Sequence, residues 1–213
     1  MSRPRPPERG ARRPARGGGS GSAARGGWAL ALLRNLVLWL LPCWLVWALL
    51  TPFYNRLLLK AAEDLLHVFE RPDVTALYPH PASRHDAYVA RLDFTPARRL
   101  VRAFRVTDVH FPLVLTAALF LAVPGVPRRE RLANLGWALG ATLLFDVLVI
   151  FFLAKSTYAT RLGDWSLAHY GPLARNAYGM AEHLLDLELK LALPFALWAV
   201  FYVRLLLGKP EEE

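Results

Sequence analysis

Residues 28–51, WALALLRNLVLWLLPCWLVWALLT, carry a single charge, Arg34, and no other ionisable group apart from Cys43. Beyond Arg34 the apolar run is long enough, as a helix, to cross a hydrocarbon layer of roughly 30 Å. Arg34 stands near one end, where a long side chain can reach the headgroups. A cleaved signal peptide would have a shorter apolar region with small residues before the cut, whereas TPFYN follows here, so the stretch reads as an uncleaved anchor. This stretch places the chain among α-helical integral membrane proteins.

Working outward, three more apolar blocks follow. FPLVLTAALFLAVPGV (111–126) is short and has Pro112 and Pro124 near its ends. LANLGWALGATLLFDVLVIFFLA (132–154) is the clearest after the first, and residues 187–207 contain LALPFALWAVFYV. Only PRRER joins the second and third blocks, which predicts an antiparallel hairpin. The expectation is about four transmembrane helices with a small mixed α/β extracytoplasmic domain between the first two. Composition agrees with this class: 54% of residues are hydrophobic, yet the formal charge is +9, and the apolar residues come in blocks separated by charge.

Lys and Arg set the orientation. Eight arginines against one acid, Glu8, precede or open the first span; Arg128, Arg129 and Arg131 fill the hairpin turn, and Lys209 follows the last span. All fall on one side of a four-span chain, which the positive-inside rule names cytoplasmic. Arg98, Arg99, Arg102 and Arg105 are a counter-signal, but they sit in a long loop, and long loops translocate largely regardless of charge. Residues 1–27, rich in Arg, Pro and Gly, read as a disordered basic cytoplasmic tail, and 208–213 as a second cytoplasmic tail. No aromatic residue interleaves with those arginines before Trp28, so the tail orients the chain and is not expected to bind nucleic acid.

Two outer segments are expected. In residues 52–110, FYNRLLLKAAEDLLHVFE is an amphipathic helix with Leu57, Ala61, Leu65 and Val68, alongside Leu58, Ala62 and Phe69, as its apolar stripe. Pro72 ends it. AYVARLDFT alternates as a half-buried strand. Thr95 and Pro96 then fit an N-cap and first helical position, a helix that would set Arg98, Arg102 and Arg105 on one basic interaction face; a strand from Leu100 to Val109 is the alternative. The second outer segment, 155–186, is rich in interfacial aromatics, with a helix starting near Asn176 and running into the last span.

Catalytic signatures are not found. Cys43 is the single cysteine and sits in an apolar helix, which fits packing better than reactivity and excludes an intrachain disulfide. The six histidines, His67, His80, His85, His110, His169 and His183, show no ligand spacing, so no metal site is read from them. No nucleophile elbow or phosphate loop is present, GGGSGS has linker composition, and no cofactor is implied. The strongest polar signal is Asp146 inside the third apolar block, with Lys190 near the outer end of the fourth. A charge in hydrocarbon is costly unless paired, so Asp146 and Lys190 are expected to pair as structural glue, with a substrate or proton site as the alternative.

The basic tail, WLVWALLTPFYN (44–55), the outer HDAYVARLDF (85–94), a span pair and a closing span together resemble exosortase H-associated membrane proteins. The resemblance rests on layout after residue 28. It implies a bacterial inner-membrane accessory whose partners are membrane lipids and exosortase H or another membrane protein. Exosortases use a Cys, an Arg and a His; this chain has no Cys outside its first span, so the resemblance implies a non-enzymatic role and carries over no catalytic residue. A membrane enzyme using Asp146 or the outer histidines, and a transporter subunit, are the competing readings.

Overall fold

A computed structural model describes residues 20–207. The two tails expected to be disordered lie outside it, apart from residues 20–27. These are already helical, because α1 begins at Ser20 and runs unbroken to Val68. Once the apolar run has nucleated a helix, extending it back through Ala23, Ala24 and Arg25 costs little. At 1.5 Å per residue α1 is roughly 73 Å long, more than twice a hydrocarbon layer. The anchor and the amphipathic outer helix are therefore one element. Pro42 and Pro52 lie within it, each removing one backbone hydrogen bond.

Three antiparallel strands follow in the order β1 (Thr75–Pro79), β2 (Asp86–Arg91), β3 (Leu100–Arg105), with Leu77 opposite Val89 and Ala87 opposite Phe104. A short helix α2 (Val106–His110) leads into α3 (Pro112–Ala122). Then come α4 (Arg128–Thr160), α5 (Asp164–His169), α6 (Pro172–His183), a wide π turn (Leu184–Leu189) and α7 (Lys190–Leu207). The chain is thus mostly helical with one small sheet. Among the described residues, two helices are long and apolar enough to cross a membrane, within Gly27–Val68 and Arg128–Thr160. Val106–Ala122 and Lys190–Val203 are apolar but shorter.

Two separate cores hold these elements. In the first, Leu58, Leu59, Ala62 and Leu66 of α1 pack between the sheet (Leu77, Ala87, Val89, Phe104) and α4 (Ile150, Leu153, Ala154, Tyr158). Only part of the expected apolar stripe is buried: Leu58 and Ala62 are fully buried together with Leu66, while Leu57, Val68 and Phe69 are exposed. Spacing alone left two adjacent stripes eligible, and contact with both the sheet and α4 selects the second. The other core, at the far end of the bundle, joins Phe120, Val123, Val126, Ala138 and Tyr202, with Trp28 and Trp198 against it. Arg131 donates to the carbonyls of Leu121 and Val126 at 3.0 and 2.9 Å, so one arginine of the turn closes the C-terminal end of α3. Asn35 of α1 donates to Ala122 O at 3.1 Å beside it.

Candidate functional site

Polar groups from α1, α2 and α4 meet where α1 leaves its apolar run. Tyr54 Oη donates to Asp146 Oδ2 at 2.9 Å, and its ring stands edge-on to His110 with centroids 4.9 Å apart. Trp47 Nε1–H donates to His110 Nδ1 at 2.9 Å. That nitrogen must then be the acceptor, which assigns the proton to Nε2; Nε2–H donates to Asn55 Oδ1 at 2.6 Å. Asn55 Nδ2 in turn donates to the carbonyl of Arg84 at 2.8 Å, fastening the β1–β2 loop to α1. Both nitrogens of His110 are used, and the side chain is fully buried, so this histidine is a structural link and not a surface group.

Asp146 is 1% exposed, so its single phenol partner matters. The expected pair with Lys190 does not form. Lys190 Nζ bonds Asp186 Oδ1 at 2.8 Å, one turn back across the π turn, and its charge reaches Asp146 only through space. A partner four residues away costs less ordering than one on another helix, which explains the local choice. Sequence spacing placed both charges near the same depth but did not rank the nearer carboxylate above the farther one.

The expected basic face is also absent. Pro96–Arg98 forms a 3-10 turn only, with Thr95 making no side-chain cap bond, and residues 100–105 pair with β2 as a strand. Strand alternation sends Arg102 and Arg105 to opposite faces. Arg102 turns inward to Glu182 (2.6 Å) and Thr157 Oγ1 (3.1 Å), Arg105 approaches Asp86 at 3.7 Å on the outside, and Arg98 is exposed on the turn.

A second polar network anchors the sheet to α4. Lys155 Nζ and Glu70 Oε1 are 3.0 Å apart, with side chains 9% and 7% exposed. Glu70 also accepts from Thr75 N (3.1 Å) and Thr75 Oγ1 (2.8 Å), and Thr75 Oγ1 meets Tyr158 Oη at 2.8 Å. Arg91 lies over Trp165 (4.2 Å to the centroid), Tyr158 (4.9 Å) and Phe94 (5.2 Å), and grips Asp93 with two bonds of 3.0 and 2.6 Å. Those hydrogen bonds hold the Asp93 carboxyl below its ordinary value. The alternation of β2 breaks at the register shift between Val89 and Ala90: Ala87, Val89, Ala90 and Arg91 are all buried, while Leu92, just past the strand, is exposed.

Two cavities flank the first polar cluster. Between α1, α3 and α4 lies an apolar groove of about 520 Å³, whose lining includes Trp39, Pro42, Cys43, Trp47, Ala117 and Gly140. Its upper end reaches Thr51 and Tyr54. On the neighbouring side of α1 a more polar pocket of about 380 Å³ is lined by Asn55, Arg56, His80, Ser83, Arg84 and Asp86. A third pocket, of about 340 Å³, lies between α4 and α6 beside Glu182 and Asp186. Among the described residues, no three His, Cys, Asp or Glu side chains gather where they could hold a metal ion. Tyr54, Asn55, Glu70, Arg91 and Lys155 were not singled out by motif. Their signal was weaker: polar residues at the ends of apolar runs, which must find partners once buried. No family model, curated protein or solved structure matches this chain.

Proposed function

We propose that the chain is a non-enzymatic accessory protein of the bacterial inner membrane, acting beside an exosortase-type protein-sorting enzyme. In this reading four segments cross the bilayer: the apolar part of α1, α2 with α3, α4 and α7, with both ends cytoplasmic and the sheet outside. Supporting it are the hydropathy of α1 and α4, the apolar character of the two shorter helices, and the arginines of the tail and hairpin turn. The short α3 is enclosed by α1, α4 and α7, so it need not meet lipid on every side.

The observation that carries the accessory role is the groove between α1, α3 and α4. In lipid, helices associate through close packing and not through the hydrophobic effect, and small residues permit that approach. Cys43, Ala117 and Gly140 are such small residues in the lining of the groove, beside Trp39 and Trp47. The apolar window of α1 is only 6% buried within the chain itself, which leaves its flank open for a partner's helix. In this reading the sheet lies outside the membrane, where it would meet the partner's outer face.

The test is affinity purification in mild detergent with identification of co-eluting membrane proteins, using wild type and Gly140→Leu. A Cβ at Gly140 meets no atom within 4 Å, so the leucine side chain has room to leave the backbone and enter the groove that Gly140 lines. An exosortase carrying its Cys, Arg and His should co-elute with wild type and be lost from the variant. Equal recovery with both, or no exosortase with either, would reject the proposal.

A further inference from the structure

The polar pocket beside α1 has the chemistry of an anion site. Arg56 comes from α1, and His80, Ser83 and Arg84 from the β1–β2 loop. Asp86 is the one carboxylate in the lining, and Arg105 stands 3.7 Å from it on the outside. Arg56 and Arg84 are exposed, and neither makes an ion pair among the described residues. His80 Nδ1 accepts from Ala82 N at 3.1 Å and its ring stacks on Tyr88 at 4.9 Å, which leaves the Nε2 proton to point elsewhere. Ser83 Oγ accepts from His85 N at 3.2 Å and keeps its own proton to donate. Two guanidinium groups and two neutral donors therefore share one concavity of about 380 Å³. The Asn55–Arg84 bond holds its two walls together.

Height along α1 identifies the ligand. Arg56 is five residues past Thr51, the end of the apolar run, or roughly 7.5 Å along the helix axis. The polar headgroup layer adds roughly 5–8 Å beyond the hydrocarbon on each side. Arg56 thus stands at headgroup height, and Phe53 and Leu57, both exposed, flank it on the same turns of α1. Planar guanidinium groups match phosphate oxygens in pairs, as an anionic headgroup offers.

We propose that this pocket binds the phosphate of an anionic phospholipid in the outer leaflet of the membrane that α1 crosses. The lipid would lock the β1–β2 loop against α1 and so fix the sheet's height over the bilayer. This rests on the membrane crossing proposed above, and not on the accessory role.

The test uses the full chain, purified in detergent and depleted of lipid, with bound lipid counted by native mass spectrometry. Phosphatidylglycerol, phosphatidylcholine and inorganic phosphate are added in turn to wild type, to the double variant Arg56→Gln/Arg84→Gln, and to Arg56→Lys/Arg84→Lys. Two surface arginines should favour phosphatidylglycerol over phosphatidylcholine by about thirtyfold in wild type. The glutamine variant should lose that preference, the lysine variant should keep much of it, and Arg128→Gln/Arg129→Gln on the opposite side should not change it. Equal preference in wild type and the glutamine variant, with both folded by circular dichroism, would overturn the site. So would inorganic phosphate displacing the lipid completely at equal concentration, because the ligand would then be a free anion. Recovery of the protein in the soluble fraction without detergent would overturn the membrane crossing itself, and is read before any lipid is added.

Discussion

Tyr54 and Asp146 lie 92 positions apart and share one 2.9 Å hydrogen bond, which ties α1 just beyond its apolar run to the middle of α4. The carboxyl is 1% exposed, and no other hydrogen bond to it is seen among the described residues. Tyr54→Phe strands it, at a cost of about 1–3 kcal/mol. Asp146→Leu removes the need for the phenol, so the double variant should lose less than the sum of the single changes. Lys190→Met should lose little and couple to Asp146 less strongly than Tyr54 does, because Lys190 bonds Asp186, whose side chain is half exposed. Thermal unfolding in detergent measures all four variants. Additivity of Tyr54 and Asp146 would refute the coupling. If Asp146→Asn abolishes protein sorting at unchanged stability, the residue belongs to chemistry or transport and the accessory reading fails.

The pair Glu70–Lys155 is the main polar anchor of the sheet on α4, and both side chains are below one tenth exposed. Breaking a buried pair by removing one partner leaves an uncompensated charge, so Lys155→Met and Glu70→Gln should each cost about 3–5 kcal/mol. Glu70→Gln keeps some of the bonds from Thr75 and should fall at the lower end. The double change to apolar residues of similar volume should be much milder than the sum. Limited proteolysis of the β1–β2 loop gives a local readout: the single variants should be cut faster there than wild type. Equal cutting rates would mean that the pair does not hold the sheet in place.

Much of the bundle was legible because apolar blocks longer than 20 residues have few structural outcomes. α1 and α4 were located for that reason, although each extends beyond its apolar block. The join between anchor and outer helix was not legible, since the apolar run ends at Thr51, and a helix can continue past it by absorbing the single bond that Pro52 removes. β2 was legible from alternation, but its inward face was not. A guanidinium that finds three aromatic rings and a carboxylate can be buried where the pattern alone expects it to face water. β3 was legible only as an alternative: Thr95-Pro96 is a valid helix start locally, a strand from Leu100 was the other reading, and only pairing with β2 decides for the strand. The polar cluster of Trp47, Tyr54, Asn55, His110 and Asp146 depends on contacts across 55 to 92 positions between α1 and the later helices, which no spacing rule encodes.

The Arg91–Asp93 clamp gives a pH dependence whose sign is fixed. The Arg91 bonds hold the Asp93 carboxyl below its ordinary value of 3.8 in the folded chain. The unfolded chain therefore takes up the proton first as pH falls. The stabilisation is fully present above the ordinary value and is lost as pH falls through the folded one. Asp93→Asn cannot titrate, so the difference in thermal midpoint between wild type and Asp93→Asn should be constant near neutrality and shrink below about pH 4. The side chain is 38% exposed, so solvent screening keeps the difference small. A difference that stays constant down to pH 3 would mean that Arg91 holds its place by stacking on Trp165 alone.

The proposed topology makes the most direct prediction. Arg128, Arg129 and Arg131 at the α3–α4 turn and the arginines of the N-terminal tail must lie on one side if four segments cross, and the sheet must lie on the other. Alkaline phosphatase folds to an active form only outside the cytoplasm, where its disulfides persist. Fusion after Ala82, in the exposed β1–β2 loop, should be active, whereas fusions after Arg129 and Glu213 should not. The informative position is Arg129, because α3 has only 11 residues and covers roughly 17 Å, about half of the hydrocarbon thickness. α2 must add its length for the segment to cross, giving Val106–Ala122, or roughly 26 Å. The bonds from Arg131 to Leu121 and Val126 place that arginine against the end of α3, so its charge can reach cytoplasmic water only if α3 ends at the inner surface. Activity at Arg129 together with activity at Ala82 would show that α2 and α3 do not cross, leaving α1, α4 and α7 as the only candidates. The expected pattern is activity at Ala82 alone, with all three fusions at equal abundance by immunoblot.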